Sequence, residues 1–372
     1  MEIIGIICEY NPFHHGHAYH IQKIKEMYPN SLIILVLNGY FLERGEVSIL
    51  TKEQKIKIAL QEKIDLVLEL PFVFGTQAAD IFAETAIKIL HNLKVEKIVF
   101  GSESNNPKLL TEIAKTQLAS DFNAKVKEQL ASGLNYPTAL NNAIGININT
   151  PNDLLGIAYI KAIMKNKYSI KPITIQRTND YHDKKSNEKI ISASNIREKT
   201  KNHISVIKYT DYSNDFNYIN EDILFKLLKY KITTDLDLSQ YLTVDEGLEH
   251  KIIKEINNAS SWDDLIKRIK SKRYTYNRVQ RMLVHILIGL TKKDHKKLNL
   301  EYIKLLGFND LGKKYINQIK KELKLPVMRK ISNKHLAQRY ELKAAQIYDL
   351  ITDNNTITYE LENKPINKDS LK

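Results

Sequence analysis

The first two hundred residues alternate short β-branched runs with longer amphipathic stretches, and this rhythm leaves the chain few architectures to choose from. Strands separated by helices of this kind run parallel, because each crossover helix must lie on a face of the sheet. The spacing predicts strands at Ile3 to Cys8, Leu32 to Leu37, Leu66 to Glu69, Lys97 to Phe100 and Ile173 to Gln176. Helices are predicted near His17 to Met27, Lys52 to Glu62 and Ala78 to Leu90, where Ile81, Ala86, Ile87 and Leu90 recur at helical spacing. The expected fold is α/β with a doubly wound parallel sheet. Residues 108–168 read as a helical insertion over one end of that sheet, with an Asn-rich loop from Asn135 to Asn152. After Thr200 the strand pattern gives way to helical segments at Glu221 to Tyr230, Val244 to Asn257, Trp262 to Lys270 and Asn277 to Leu290. The expected division is an α/β domain over 1–200 and a mostly α-helical domain over 201–372. The polar end from Asn363 to Lys372 is expected to be disordered.

Length supports two domains, or one domain with a large extension, since 372 residues exceed what one ordinary core accommodates. Hydrophobic residues at 43% and charged residues at 27% are globular values, and no run of apolar residues is long enough to cross a bilayer. The N-terminal run Met1 to Cys8 lacks a basic leader and a small-residue cleavage site, so a soluble, cytoplasmic protein without a membrane partner is expected. A lone cysteine, Cys8, excludes an intramolecular disulfide, a CxxC redox pair and a cysteine-rich zinc knuckle.

The formal charge of +13 is concentrated. Residues 251–350 hold 24 Lys and Arg against 9 Asp and Glu, a local +15, which leaves the rest of the chain at −2. A near-neutral body carrying one basic module suits a polyanion-binding enzyme, because Lys and Arg gain affinity by releasing phosphate counterions. Well-solvated helix faces would give the same count.

The stretch Glu9-Tyr10-Asn11-Pro12-Phe13-His14-His15-Gly16-His17 leaves the first strand and opens the first helix, which is where doubly wound sheets bind ligands. His14 and His17 flank a glycine whose missing side chain lets a phosphate approach the backbone, and the helix N-terminus adds free N–H groups. Such a site suits an α-phosphate under attack, since imidazole N–H donors strengthen as charge grows on the nonbridging oxygens. Two other readings of these side chains exist. His14, His15, His17 and His20 crowd together, but zinc would want a carboxylate at helical spacing. Cys8 ends an apolar strand, where an inert thiol is the default.

A second signal follows the fifth strand: Ile191-Ser192-Ala193-Ser194-Asn195-Ile196-Arg197. With His14-x-Gly16-His17 it resembles the HIGH-motif nucleotidyltransferase superfamily, in which this Ser-rich turn holds the β- and γ-phosphates. Read by itself, the turn is also an ordinary helix N-cap. The fuller run Glu9 to His17 resembles the bacterial tRNA(Met) cytidine acetate ligases. The likeness extends through Asn38 to Glu46, Leu68-Glu69-Leu70-Pro71, Phe100-Gly101-Ser102-Glu103, Pro151 to Gly156, Thr174-Ile175-Gln176-Arg177 and Lys272-Arg273-Tyr274-Thr275.

The resemblance implies a Rossmann-like HIGH nucleotidyltransferase domain. It also implies a ligase that uses ATP and acetate to make N4-acetylcytidine at the wobble position of elongator tRNA(Met), with Mg2+ a candidate companion of ATP. His14 and His17 would be catalytic. ATP would lie along Ile7, Cys8, Glu9, Tyr10, Asn11, Pro12, Phe13, His14, His15, Gly16, His17, Ala18, Tyr19 and His20, and would touch Gly101, Asn152, Arg177, Ser192, Ser194 and Arg197. His15, between the motif histidines, has no assigned task. At single positions the residues leave alternatives open. Gly101 is a ligand-facing or a turn glycine, Asn152 binds nucleotide or caps the helix after Pro151, Arg177 grips phosphate or forms a surface ion pair, and Arg44 grips phosphate or tRNA or forms a surface ion pair.

Cations alternate with aromatics from Trp262 to Arg281, a pattern that covers phosphates and stacks on bases. Lys272, Arg273, Tyr274, Arg278 and Arg281 are the expected tRNA contacts, and Lys313 and Lys314 are expected to extend the same surface. A small-molecule adenylyltransferase of the cofactor-synthesis type would share both motifs at about half the length, without a basic module. A noncatalytic RNA-binding protein would not need the histidines intact.

Overall fold

The computed structural model describes residues 1–134, 136–146, 148–177, 190–332, 334–362 and 364–371. Asn135 and Asn147 of the expected Asn-rich loop, and Asn363 and Lys372 of the polar end, lie outside the described residues.

All five expected strands are present, as β1 (Ile3–Cys8), β2 (Leu32–Asn38), β3 (Leu66–Leu70), β4 (Lys97–Ser102) and β5 (Lys171–Gln176), joined by β6 (Ile303–Phe308), β7 (Val327–Met328) and β8 (Ile366–Asn367). The sheet order is β5-β4-β1-β2-β3-β6-β7, with β8 also pairing β6. β1 to β5 run parallel, and β6 adds antiparallel to β3. Every residue of β2 and β3 is buried, which is why these strands read as unbroken apolar runs: helices cover both faces. The chain order reverses between β1 and β4, the topological switch point where an open α/β sheet leaves a crevice at its carboxyl edge.

The helix Pro151–Lys165 packs on Ala79–Asn92 and on β4 and is the crossover into β5. Tyr136–Ile144 is a helix where the sequence reads as loop, and β8 with the turn after it is ordered where the sequence reads as a disordered tail. The helices Glu221–Thr234, Leu248–Ile256, Trp262–Ile269 and Tyr276–Ile288 share a core of their own around Leu228, Ile252, Ile266 and Leu283. Among the described residues no helix is long and apolar enough to cross a membrane.

A buried ionic cluster ties the C-terminal segments to the sheet. The Lys52 ammonium lies 2.7 Å from Glu69, 2.6 Å from Glu341 and 2.5 Å from Glu360, and all four side chains are fully buried. Lys304 on β6 bonds Glu69 and Glu360, Tyr40 donates to Glu360, and the Phe72 N–H donates to Glu341. Burial alone would strip the proton from Lys52; the three carboxylates outweigh it and hold the group well above the ordinary lysine value.

Candidate active site

A cavity of about 270 Å3 opens at the carboxyl edge of β1, β4 and β5. Its walls come from the β1 turn, the loop after β2, the helix Pro151–Lys165 and the head of the helix Ala193–Lys201.

His14 is the N-cap of the helix His15–Met27, and its extended backbone (φ −149°, ψ 171°) turns the ring back over the first turn. There His14 Nδ1 accepts the Gly16 N–H at 2.9 Å, and His17 Nδ1 accepts the His14 N–H at 3.3 Å. A ring nitrogen that accepts a backbone N–H carries no proton, so in each imidazole the proton sits on Nε2. The rings lie 4.1 Å apart, and the edge of Tyr10 packs on His17. Burial and then the nearby Arg177, His15 and Arg197 push His14 down to about 3. Burial and then His14, His20 and Arg177 push His17 well below the ordinary value. Both side chains are therefore neutral N–H donors near pH 7.

Gly16 is required for a reason that the sequence does not display. A Cβ there would stand 2.6 Å from His14 Cε1 and 2.9 Å from its Nδ1, displacing the ring before any ligand arrived. Buried Lys55 braces the same turn by donating to the carbonyls of Glu9, Asn38 and Gly39, at the ends of β1 and β2. From the other side the Tyr209 carbonyl accepts the His15 N–H, and Thr210 donates to the Phe13 carbonyl. Tyr10, at φ +48°, is held in the left-handed region between these braces.

Ile7, Cys8, Glu9, Tyr10, Asn11, His14, Gly16, His17, Tyr19 and His20 line the cavity. Pro12, Phe13, His15 and Ala18 do not: Pro12 and Phe13 are buried in the turn, Ala18 packs on the core below it, and His15 faces Asp211 at 3.7 Å. Burial raises the Cys8 thiol to about 12, which leaves it protonated and inert.

Gly101 lies within β4 rather than in a turn, and it faces the cavity beside Arg177. Arg177 sits 3.9 Å from Glu103, and its Nε, like His20 Nε2, is buried with no hydrogen-bond partner among the described residues. Both residues line the cavity, where a bound polar ligand would satisfy such atoms. Asn152 is neither a cap nor free, because its Nδ2 donates to Glu103 at 2.6 Å. Ser192 does cap its helix, accepting the Asn195 N–H, while remaining on the cavity wall within 3.0 Å of the Ser194 hydroxyl. Arg197 donates to the Asn11 carbonyl at 2.6 Å and to Glu46 at 2.7 Å. These contacts engage two of its five N–H groups.

The HIGH Nucleotidyl Transferase family model matches residues 1–363. A tRNA(Met) cytidine acetate ligase of Geobacillus sp. (strain WCH70) is 39% identical over 90% of each chain, and one of Bacillus subtilis (strain 168) is 36% identical over 94% of this chain and 92% of its own. The chain belongs to this family. A crystal structure of Thermotoga maritima TmcAL bound with alpha-thio ATP superposes with a TM-score of 0.86 at 26% identity, covering 99% of both chains.

The basic window resolves into two kinds of charge. Lys272 and Arg273 are exposed, with Arg273 2.5 Å from Glu246, and the Arg278 guanidinium stacks 4.4 Å over the ring of Tyr274. Tyr274 itself is buried and donates to Glu246. Arg281 faces inward rather than toward solvent, 3.2 Å from Glu43. Lys313 and Lys314 do not join this surface. Their helix, Asp310–Ile319, abuts Asp65 and Leu93 at the amino edge of the sheet, opposite the cavity.

Glu43 and Glu46 on the cavity wall escape sequence reasoning because carboxylates in a loop carry no periodic signal. The bracing Lys55 was findable: Lys52 and Lys55 interrupt the apolar face of an amphipathic helix, where a cation needs a buried partner.

Proposed function

We propose that this chain is an ATP-dependent ligase that activates acetate as acetyl-adenylate and transfers the acetyl group to N4 of the wobble cytidine of elongator tRNA(Met). The pair of neutral histidines at the switch point carries the reading. An acetate oxygen attacks the α-phosphorus, the bond to the β-phosphate oxygen breaks, and charge builds on the nonbridging oxygens. The Nε2–H groups of His14 and His17 are fixed in tautomer before ATP arrives, so they bond that charge without reorganising. Ser192, Ser194 and the N–H groups of Arg197 beyond those bonded to Asn11 and Glu46, at the head of a helix, suit the departing pyrophosphate. Arg177, Gly101 and Asn152 would line the nucleoside side.

Work divides near residue 200 in this reading, with ATP chemistry before it and tRNA docking after it. Lys272, Arg273 and Arg278 form the outer tRNA contacts, with Tyr274 as the support under Arg278. Both macromolecular and nucleotide substrates belong to the cytoplasm. Incubating the protein with tRNA, ATP and isotopic acetate should place label in N4-acetylcytidine, read by mass spectrometry of the nucleosides; unlabelled cytidine throughout would refute the assignment.

A further inference from the structure

Acetyl transfer needs a group that the phosphate-facing histidines do not supply. As N4 of cytidine bonds to the acetyl carbon, that nitrogen turns strongly acidic and must lose a proton while the bond from carbon to the AMP oxygen breaks. His14 and His17 cannot take it: Nδ1 of each ring is engaged by a backbone N–H and Nε2 already bears its proton.

Among the described residues three carboxylates line the cavity, those of Glu9, Glu43 and Glu46. Glu9 accepts from the Asn38 side chain at 2.9 Å and the Glu43 N–H at 2.7 Å, while Glu46 is paired with Arg197 at 2.7 Å. Glu43 is engaged more loosely. Arg281 lies 3.2 Å from its Oε1, and the Arg44 Nε lies 3.7 Å from its Oε2, beyond hydrogen-bond length. Its position also differs, because its loop is the seam between the ATP cavity and the basic helix Tyr276–Ile288. Gly45, at φ +79°, sits so close to that helix that a Cβ would fall 2.9 Å from the Arg281 backbone nitrogen. A base approaching the cavity from the Lys272–Arg278 surface would pass this loop.

Building on the acetate-ligase reading, we propose that Glu43 is the general base of acetyl transfer. Its carboxylate takes the N4 proton as the N4–carbon bond forms, and AMP departs with the electron pair of the carbon–oxygen bond. No further reactant is required. Burial raises Glu43 to about 7; Arg281 on the helix and Arg44 on the loop pull it down, while Glu9 at the end of β1 and Glu46 push it up. Tyr159, the other titratable group facing it, stays protonated because burial raises its phenol well above the ordinary value. The basic form of Glu43 is the ionised one, so the transfer rate should climb as pH rises through about 7 and level off above it.

The test is a single turnover. Wild type, Glu43→Gln and Glu43→Asp are loaded with ATP and labelled acetate, tRNA is added, and label reaching cytidine is followed from pH 5.5 to 9. Acetate-dependent pyrophosphate exchange and tRNA binding are measured on the same preparations. Glu43→Gln should slow transfer about a hundredfold or more while exchange and tRNA binding change by only a few-fold, and the rise near pH 7 should vanish. Glu43→Asp should keep the rise at an intermediate rate. Normal transfer by Glu43→Gln with the rise intact would overturn the proposal, and so would equal loss of exchange and transfer in both variants, which marks a structural role. A wild type that labels no tRNA would fell the ligase reading itself and Glu43 with it.

Discussion

The histidine turn and the basic window both bring cationic residue types to a polyanion, yet they handle charge in opposite ways. In the turn, burial removes the charge: His14 and His17 sit where protonation is suppressed, and they act through N–H groups whose direction is fixed by backbone bonds. In the window the charge survives but is shared out. Lys304 lies in the buried cluster, Arg281 turns onto Glu43, and Lys267 and Arg268 are drawn to Asp263 and Asp264, while Lys272 and Arg273 stay exposed, Arg273 beside Glu246, and Arg278 lies half-buried over Tyr274. A local +15 thus overstates what tRNA could meet. A precise site can be written in adjacent residues, whereas a docking surface depends on which charges the fold has already consumed.

The interior charges should show the largest effect. Replacing Lys52 with Met leaves Glu69, Glu341 and Glu360 facing one another with only Lys304 between them, and removing one partner of a buried ionic group typically costs about 3–5 kcal/mol. Urea denaturation of Lys52→Met should show a loss on that order. A loss below about 1 kcal/mol would mean that the cluster relaxes or takes up protons at little cost, and that these cations are not what joins the C-terminal segments to the sheet.

Next in size is the turn. His14→Ala or His17→Ala should slow acetyl-adenylate formation about a hundredfold to a thousandfold, as loss of one preorganised donor does, with a smaller effect on ATP binding. Wild-type pyrophosphate exchange in both variants would break the contrast by removing chemistry from the turn.

How much of this was legible follows from the same contrast. β1 to β5 were readable because a sheet covered on both faces demands apolar runs; β2, β3 and β4 run one or two residues past the expected ends, and β5 begins two residues before the expected start. β6 was not, since its second residue is Lys304, a charge whose partners Glu69 and Glu360 lie far away in sequence. His14, Gly16 and His17 were readable as a contiguous pattern. Glu43, the Arg197–Glu46 pair and the Tyr209–Thr210 brace were not, because each is made by segments that meet only after folding. Lys313 and Lys314 show the opposite error: composition grouped them with Lys272, and topology sends them to the far edge of the sheet.

That error supplies the last and smallest test. Lys272→Glu with Arg273→Glu should weaken tRNA binding about tenfold at moderate salt, and the slope of log affinity against log salt should become shallower by about one to two, because phosphate contacts are lost and fewer counterions are released. Acetyl-adenylate formation without tRNA should persist, since the cavity is built by other segments. Lys313→Glu with Lys314→Glu makes the same change in net charge at the opposite edge, where the Debye length of about 8 Å at physiological salt screens it from the docking face. Its tRNA affinity should stay within about twofold of wild type, with the slope unchanged. Equal weakening by the two double variants would show that tRNA responds to total charge or wraps both edges of the sheet. Weakening by the Lys313 pair alone would move the docking surface away from the cavity, and with it the route by which a cytidine could reach Glu43.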